Sequence, residues 1–377
     1  MGCDKKSLRI RGTKCSFRQT YCNPTQNRPK VHNYIDRKHS LCQILWQLIL
    51  KKVKMTVLTP DFDQSEQSTL ERIAVYAKKY RGQTIVIKIG GEVIDNPNPT
   101  LIDAVIDEAI LLKALGANVV LSHGGGKQID QELKRNHPDL KVVKQDGIRV
   151  ADMPTLETSR AVANTLTARI SALITERGKI YGISGLVGNT TDVISAKQLF
   201  DQARTGTLDL NPEYKFLKKH ILSMVDMDKL NAYITPDSIP VFGWHCANAT
   251  DDISDDLTVN ADEVGCIIAS ALGAERLIYF SADTSGEVLG IHHKAPEGSD
   301  KKVGDLIPEL TISSMQNLIE DGTIEGGMKV KALTCMFALN AGVDGVVICH
   351  PSMIIKELMS RDGAGTLITK DATLTPA

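Results

Sequence analysis

Lys88, Asp262 and Lys331 are the side chains whose type and setting could do chemistry, and glycine runs stand beside both lysines. Lys88 lies at the end of the apolar run from Thr84 and directly precedes Ile89-Gly90-Gly91. A second run, His123-Gly124-Gly125-Gly126, follows Val119–Ser122. A third, Gly326-Gly327, comes one helical turn before Lys331. Glycine lets a ligand approach the main chain, whose N–H groups then cradle phosphate or carboxylate oxygens. The first two loops predict two anionic ligands meeting over one parallel sheet.

Each residue also has a plain structural reading. Lys88 could be an edge lysine laying its stem along apolar surface, and Lys331 part of a solvated helix face. Asp262, in Val259-Asn260-Ala261-Asp262, could simply cap a helix. Arg149, in Asp146-Gly147-Ile148-Arg149-Val150, could be half of a surface ion pair. Common nucleotide motifs are absent. Gly126-Lys127 is followed by Gln128 rather than Ser or Thr, no GxGxxG follows a strand, and the protein-kinase triplets are missing.

The elements that must position these residues follow from periodicity. Ser68-Thr69-Leu70-Glu71 fits a capping box opening a helix to Tyr80. Strands are predicted at Thr84–Ile89, Asn118–Ser122, Lys179–Ile183, Ile239–Gly243, Arg276–Ser281, Val346–Cys349 and Thr366–Thr369. Helices are predicted at Thr100–Leu115, from about Gln128 to Arg135, and at Met153–Arg177, Asp262–Leu272, Ile312–Glu320, Met328–Asn340 and Ile354–Ser360. Residues 197–236 read as a hairpin and a helix, and 286–305 as a loop with a short hairpin. Alternating strands and helices predict an α/β fold with a mainly parallel sheet covered on both faces.

The chain has 377 residues and a net charge of −1 that hides an asymmetry. Residues 1–54 hold 13 Lys/Arg against 2 Asp/Glu, and the remainder 31 against 43. The acidic body argues against nucleic-acid binding. No apolar run reaches the roughly 18 residues of a membrane span. Four of the eight cysteines lie in the basic arm, and Cys246, Cys266, Cys335 and Cys349 lie in apolar settings. With no CxxC pair, no metal-ligand set is expected, and free buried thiols are the reading. The arm at 1–54 could be an over-extended start before Met55, an organellar transit segment or a disordered interaction tail.

Six pieces together carry a resemblance. They are Ile87-Lys88-Ile89-Gly90-Gly91, His123 to Gly126, Gly147-Ile148-Arg149-Val150, Val259-Asn260-Ala261-Asp262, Asp321 to Lys331 and Gly363-Ala364-Gly365-Thr366. In this order and spacing the body resembles the amino-acid kinase family, and within it the acetylglutamate kinase branch. The resemblance implies an open three-layer αβα sandwich of about eight strands. Residues 83–245 would form the acyl-amino-acid lobe and 246–377 the ATP lobe, after an N-terminal helix in 55–82. The implied reaction is phosphorylation of the γ-carboxylate of N-acetyl-L-glutamate by ATP with Mg²⁺, in arginine biosynthesis, in a cytoplasmic enzyme or an organellar one if the arm is a transit segment.

The implied roles follow residue by residue. Lys88 would stabilise the transferring phosphoryl group, Lys331 the leaving side, and Asp262 would hold both lysines. Gly125, Gly126, Arg149, Asn260 and Thr258 would face the acyl substrate, with Arg149 on its α-carboxylate. Gly90, Gly91, Asp283, Gly327 and Met328 would face the nucleotide. The helix before the first strand resembles that of arginine-sensitive members, which links dimers into hexamers. Tyr76, Glu357 and Gly363 are accordingly read as an arginine-effector site, and the chain as a homo-oligomer, dimer or hexamer.

The sequence departs from the family pattern at several points. Thr258 stands where the first Asn of Asn-x-Asn-Ala-Asp is usual, Lys127 where proline is usual, and Ser352 where histidine is common. Ser184–Asn189 lacks the usual Lys-Asp of that loop. A relative acting on another acid, or a non-catalytic arginine-sensing module, are the alternative readings.

Overall fold

Apolar β-branched runs become the middle of one eight-stranded sheet, because only a strand covered by helices on both faces can bury such a run completely. The computed structural model describes residues 64–140, 144–145, 148–149, 153–195, 221–247, 257–281, 288–295, 303–360 and 363–371. Contacts separate residues 1–64 from 65–377, and the sheet with its covering helices belongs to the second unit. The basic arm and Asp283 lie outside the described residues.

Helix α1 spans Gln64–Tyr80. Then come β1 (Thr84–Ile89), α2 (Gly91–Ile94), α3 (Thr100–Ala114), β2 (Asn118–His123) and α4 (Gly126–Asn136). The short pair β3 (Lys144–Gln145) and β4 (Ile148–Arg149) precedes α5 (Met153–Gly178). Next are β5 (Ser184–Val187), α6 (Thr190–Val193), α7 (Met227–Tyr233), β6 (Ser238–Phe242), β7 (His245–Cys246) and β8 (Leu257–Thr258). The second half holds α8 (Ala261–Leu272), β9 (Arg276–Phe280), β10 (Glu309–Thr311) and α9 (Ile312–Glu320). It closes with α10 (Gly326–Asn340), β11 (Gly345–Cys349), α11 (Ile354–Met359) and β12 (Thr366–Thr369).

The sheet order is β10-β12-β11-β9-β1-β2-β6-β5, and every neighbouring pair is parallel except β11 with β12. Strands β6, β9 and β11 are buried along their whole length. From β1 the chain winds one way through β2 and β6 and the other way through β9 and β11. That reversal leaves a crevice at the carboxyl ends of the strands, the usual ligand site of an open α/β sheet. Helices α3 and α5 pack together, as do α8 and α10, and α8 lies on β1, β2 and β9.

Two predicted elements differ. The strand expected at Lys179–Ile183 is a 3-10 turn at Lys179–Tyr181, closed by Gly182 at φ +68°. That left-handed residue turns the chain back, so the real strand starts at Ser184 and forms a sheet edge exposed at both ends. The Gly/Ser stretch expected to be a loop is therefore strand β5. Helix α1 begins at Gln64, before the capping box expected at Ser68, because the preceding polar residues continue the helical turn. Of the hairpin and helix expected within 197–236, residues 196–220 lie outside the described ones, and the described remainder is helical at 221–224 and in α7. In the 286–305 loop, His293 N–H donates to Asp305 and Gly304 N–H to His293. No helix among the described residues is long and apolar enough to cross a membrane.

Candidate active site

Lys88 projects from β1 toward α8, and the two can approach because Gly265 carries no side chain. A Cβ there would stand 2.9 Å from Ser122 Oγ and 3.5 Å from Lys88 Cβ. The approach brings Lys88 Nζ to 2.7 Å from Asp262 Oδ1. Lys331, in the second turn of α10, brings its Nζ to 3.8 Å from Asp262 Oδ2. The same ammonium lies 5.0 Å above the Tyr279 ring, and Tyr279 O–H donates to the Asp262 carbonyl at 2.8 Å. Asn260 caps α8, its Oδ1 accepting the Asp262 N–H at 3.0 Å. One carboxylate thus holds two ammonium groups, and four elements fix its place.

All three side chains are 12–15% exposed. Burial alone would push the Asp262 carboxyl up, but Lys331 and Lys88 outweigh it and lower it to about 2. Burial alone would lower Lys88, but the Asp262 charge and hydrogen bond reverse this, with Glu92 adding to them, and the net shift is upward. Asp262 and Lys88 are therefore both ionised at neutral pH. Lys88 and Lys331 face the Asp262 carboxylate, and Glu92 adds a second carboxylate at the Gly90 loop.

The glycine loops meet beside this cluster. Gly124 N–H donates to the Ile89 carbonyl at 2.9 Å, which ties the end of β2 to the end of β1. A Cβ on Gly124 would lie 3.8 Å from Lys88 Nζ, and one on Gly91 would lie 3.3 Å from Gly125 Cα. Gln128 Nε2 donates to the Gly91 carbonyl and to Asp95 Oδ2, both at 2.8 Å, and Arg169 donates to Asp95 Oδ1 at 2.7 Å. Lys127 donates to the Asp95 carbonyl at 3.3 Å, so it braces α2. At the start of α10, a Cβ on Gly327 would meet nothing within 4 Å. The main chain of Gly327 is thus open at a helix N-terminus, where the peptide dipoles favour an anion.

The structure gathers Lys88, Asp262, Lys331, Asn260, Gly90, Gly91, Gly125 and Gly126 around the crevice, with Gly327 and Met328 on the helix that carries Lys331. Arg149 lies on β4 opposite Lys144, and Thr258 on β8 opposite His245; their side chains lie outside the described residues. Tyr76, Glu357 and Gly363 form a separate group. Glu357 Oε2 accepts the N–H of Ala364 and of Gly365, and both Glu357 and Tyr76 act electrostatically on the buried Tyr80. Cys246, Cys266, Cys335 and Cys349 are free and buried, and burial raises the Cys335 thiol to about 12. Among the described residues no three His, Cys, Asp or Glu side chains group as a metal site.

Sequence reading missed the supports of the site. His123 is buried and neutral, and burial, with Lys88 adding to it, lowers it to about 4. Trp244, Tyr279, Thr167 and Gly265 matter through contacts that no local pattern announces. Trp244 is the only tryptophan beyond residue 46, and this was the one available signal.

Residues 83–350 match the model of the amino acid kinase family. The chain belongs to the amino acid kinase family. This kinase is 33% identical over 309 residues to the acetylglutamate kinase of Brachyspira hyodysenteriae, covering 80% of this chain and 96% of that one. It is 34% identical over 307 residues to the acetylglutamate kinase of Rhodopseudomonas palustris strain BisB5, covering 78% and 93%. Among solved structures, N-acetylglutamate synthase from Neisseria gonorrhoeae matches with a TM-score of 0.62 at 20% identity. That match covers 81% of this chain and 65% of the synthase, so the chain spans less than two thirds of it. Carbamate kinase from Giardia lamblia, bound to AMP-PNP, matches with a TM-score of 0.55 at 17% identity, covering 77% and 99%. The fold is thus the amino-acid kinase fold, and the chain an ATP-dependent kinase.

Proposed function

We propose that this kinase transfers the γ-phosphoryl group of ATP to the γ-carboxylate of N-acetyl-L-glutamate. The products are N-acetyl-glutamyl 5-phosphate and ADP, and the step belongs to arginine biosynthesis. The observation that carries the proposal is the single Asp262 carboxylate between Lys88 and Lys331, set beside two glycine loops. A carboxylate acceptor has a reference pKa near 4.3, so it is ionised and needs no general base. What the protein must supply is alignment and neutralisation of charge.

Lys88 neutralises the phosphoryl group in transit and Lys331 the leaving phosphate. Asp262 fixes the separation of the two ammonium groups. The N–H groups of Gly90, Gly91 and Gly125 guide the phosphoryl oxygens. Arg149 clamps the substrate α-carboxylate, Thr258 and Asn260 contact the acylated amine, and Gly126 opens the helix beneath it. Asp283, Gly327 and Met328 serve the nucleotide. Mg²⁺ would neutralise the nucleotide phosphates; with Asp262 committed to two lysines, the metal arrives on ATP rather than in a protein cage. Residues 83–245 form the acceptor lobe and 246–377 the nucleotide lobe. The chain works as a homo-oligomer, and Tyr76, Glu357 and Gly363 form an arginine-effector site next to α1.

Thr258 favours one second reading. A threonine offers a single hydroxyl where an amide offers a paired donor and acceptor, so another acylated amino acid could be the acceptor. The test is acyl-phosphate trapping with hydroxylamine. N-acetyl-L-glutamate, glutamate, aspartate and N-acetyl-aminoadipate are compared, with Lys88→Ala as control. Turnover of N-acetyl-L-glutamate that is lost in the control supports the first reading. Turnover of another acid alone replaces it with the second.

A further inference from the structure

Trp244 and Ser159 form a buried cluster to which the phosphoryl-transfer chemistry assigns no part. Trp244 directly follows β6 and its neighbour Gly243, and is 3% exposed. Its ring fills the space where Gly125 would carry a side chain. A Cβ there would stand 2.5 Å from Trp244 Cη2 and 2.9 Å from Leu166 Cδ1. The indole N–H donates to Ser159 Oγ at 2.9 Å, and Ser159 Oγ lies 3.1 Å from His245 Nε2.

Two turns along the same face of α5, Thr167 Oγ1 donates to the Ala163 carbonyl at 2.8 Å and lies 2.7 Å from His123 Nε2. The other ring nitrogen, His123 Nδ1, lies 3.4 Å from the Gly124 carbonyl, so the imidazole bridges α5 and the glycine loop. His123 in turn meets the Trp244 ring edge-on, 5.5 Å between centroids. On the opposite side, the Trp244 carbonyl accepts the Val259 N–H at 3.1 Å, immediately before the Asn260 cap. Trp244 therefore touches the glycine loop with its ring and the approach to Asp262 with its main chain.

We propose that Trp244 is a positioning residue for the acyl substrate. Ser159 fixes the indole, the indole fixes the Gly125 main chain, and the bond to Val259 keeps that loop in register with Asn260 and Asp262. The inference rests on the acylated-amino-acid kinase reading and assigns to this contact the seating of the acceptor rather than of ATP. A misplacement of about 1 Å at a reacting carboxylate can cost on the order of a hundredfold in rate.

The test uses the full chain carrying Trp46→Phe, in which Trp244 is the sole tryptophan, and compares kinetics with Trp244→Phe, Ser159→Ala and Ser159→Thr. Trp244→Phe is expected to lower kcat/KM for N-acetyl-L-glutamate by about 10- to 100-fold, with KM for ATP within about twofold. Ser159→Ala moves the same way by less, and Ser159→Thr, which keeps the hydroxyl, restores it. In the Trp46→Phe chain, N-acetyl-L-glutamate shifts the Trp244 emission and ATP alone does not.

Equal changes in both KM values, or a lower melting temperature with unchanged kinetics, would overturn the proposal. If the unmutated chain does not turn over N-acetyl-L-glutamate, the substrate reading has failed separately. The same emission titration with glutamate, aspartate and N-acetyl-aminoadipate then decides the positioning role. An emission that no acid moves rejects it.

Discussion

Lys88 Nζ and Asp262 Oδ1 stand 2.7 Å apart, and the other oxygen of the same carboxylate faces Lys331. The pairing explains why two like charges can share a nearly dry crevice. Each lysine alone would be disfavoured by burial and by its neighbour, and the carboxylate offsets both costs.

Replacing Asp262 by Asn keeps the shape and removes the charge. The kcat is expected to fall by about 10²- to 10³-fold, and stability by about 3–5 kcal/mol because two buried ammonium groups lose their partner. Steady-state kinetics and thermal unfolding read the two effects. A variant with full kcat would mean that Asp262 only neutralises the buried lysines and takes no part in the transfer.

The pH dependence of stability has a sign that can be checked. His123 is lowered to about 4, so between pH 6.5 and 4 the unfolded chain binds the proton and the folded chain does not. Stability should therefore fall with falling pH across that window, by up to about 3 kcal/mol from this group. His123→Gln keeps a hydrogen-bonding group facing Thr167 and should flatten the slope. Asp262, lowered to about 2, contributes stability that is present above its unfolded pKa and is lost only as pH falls from near 4 through about 2. The raised Lys88 holds its contribution below its unfolded pKa and loses it as pH rises through the folded value. A wild-type slope that survives in His123→Gln would reject the assignment to His123.

Neighbouring glycines should behave differently. Gly326 has φ +56°, so Gly326→Ala should cost about 1 kcal/mol in stability. A side chain at Gly327 has open space, so Gly327→Ala should leave the melting temperature within about 2 °C. If ATP phosphate approaches that main chain, Gly327→Ala will still raise KM for ATP by about tenfold. An unchanged KM would place the nucleotide elsewhere.

How much of this was legible depends on whether a residue acts locally or by contact. Lys88, Gly90 and Gly91 could be read because a lysine and glycines after a β-branched run is itself a local pattern. Strand positions followed from apolar β-branched runs, but Lys179–Ile183 misled because Ile180 and Tyr181, apolar in type, are exposed on a turn. Trp244 was invisible because its importance lies in a ring meeting Gly125, far away in sequence. The sheet order could not be read either, since nothing near Thr84 says that β9 rather than β6 lies beside it.

Removing metal should separate two effects. With EDTA, turnover should stop and return on adding Mg²⁺, whereas the melting temperature of the nucleotide-free chain should stay within about 2 °C. A chelator-induced loss of stability would reveal a structural cation that the described residues do not group to hold.

Glu357 closes its own loop through the N–H groups of Ala364 and Gly365. Glu357→Ala should cost about 2 kcal/mol for the unpaired donors, and inhibition by millimolar arginine, if present in the parent, should disappear. Inhibition that persists in the variant would place the effector elsewhere.

The winding reversal between β1 and β9 has a consequence during synthesis. Lys88 emerges early from the ribosome, yet neither Asp262 nor Lys331 exists beside it until the second half of the chain has been made. The first half of the sheet must wait with β1 unpaired on its β9 side, a long-range closure of the slow kind. Nascent chains stalled before Lys331 should thus be nucleotide-blind and reliant on holding chaperones.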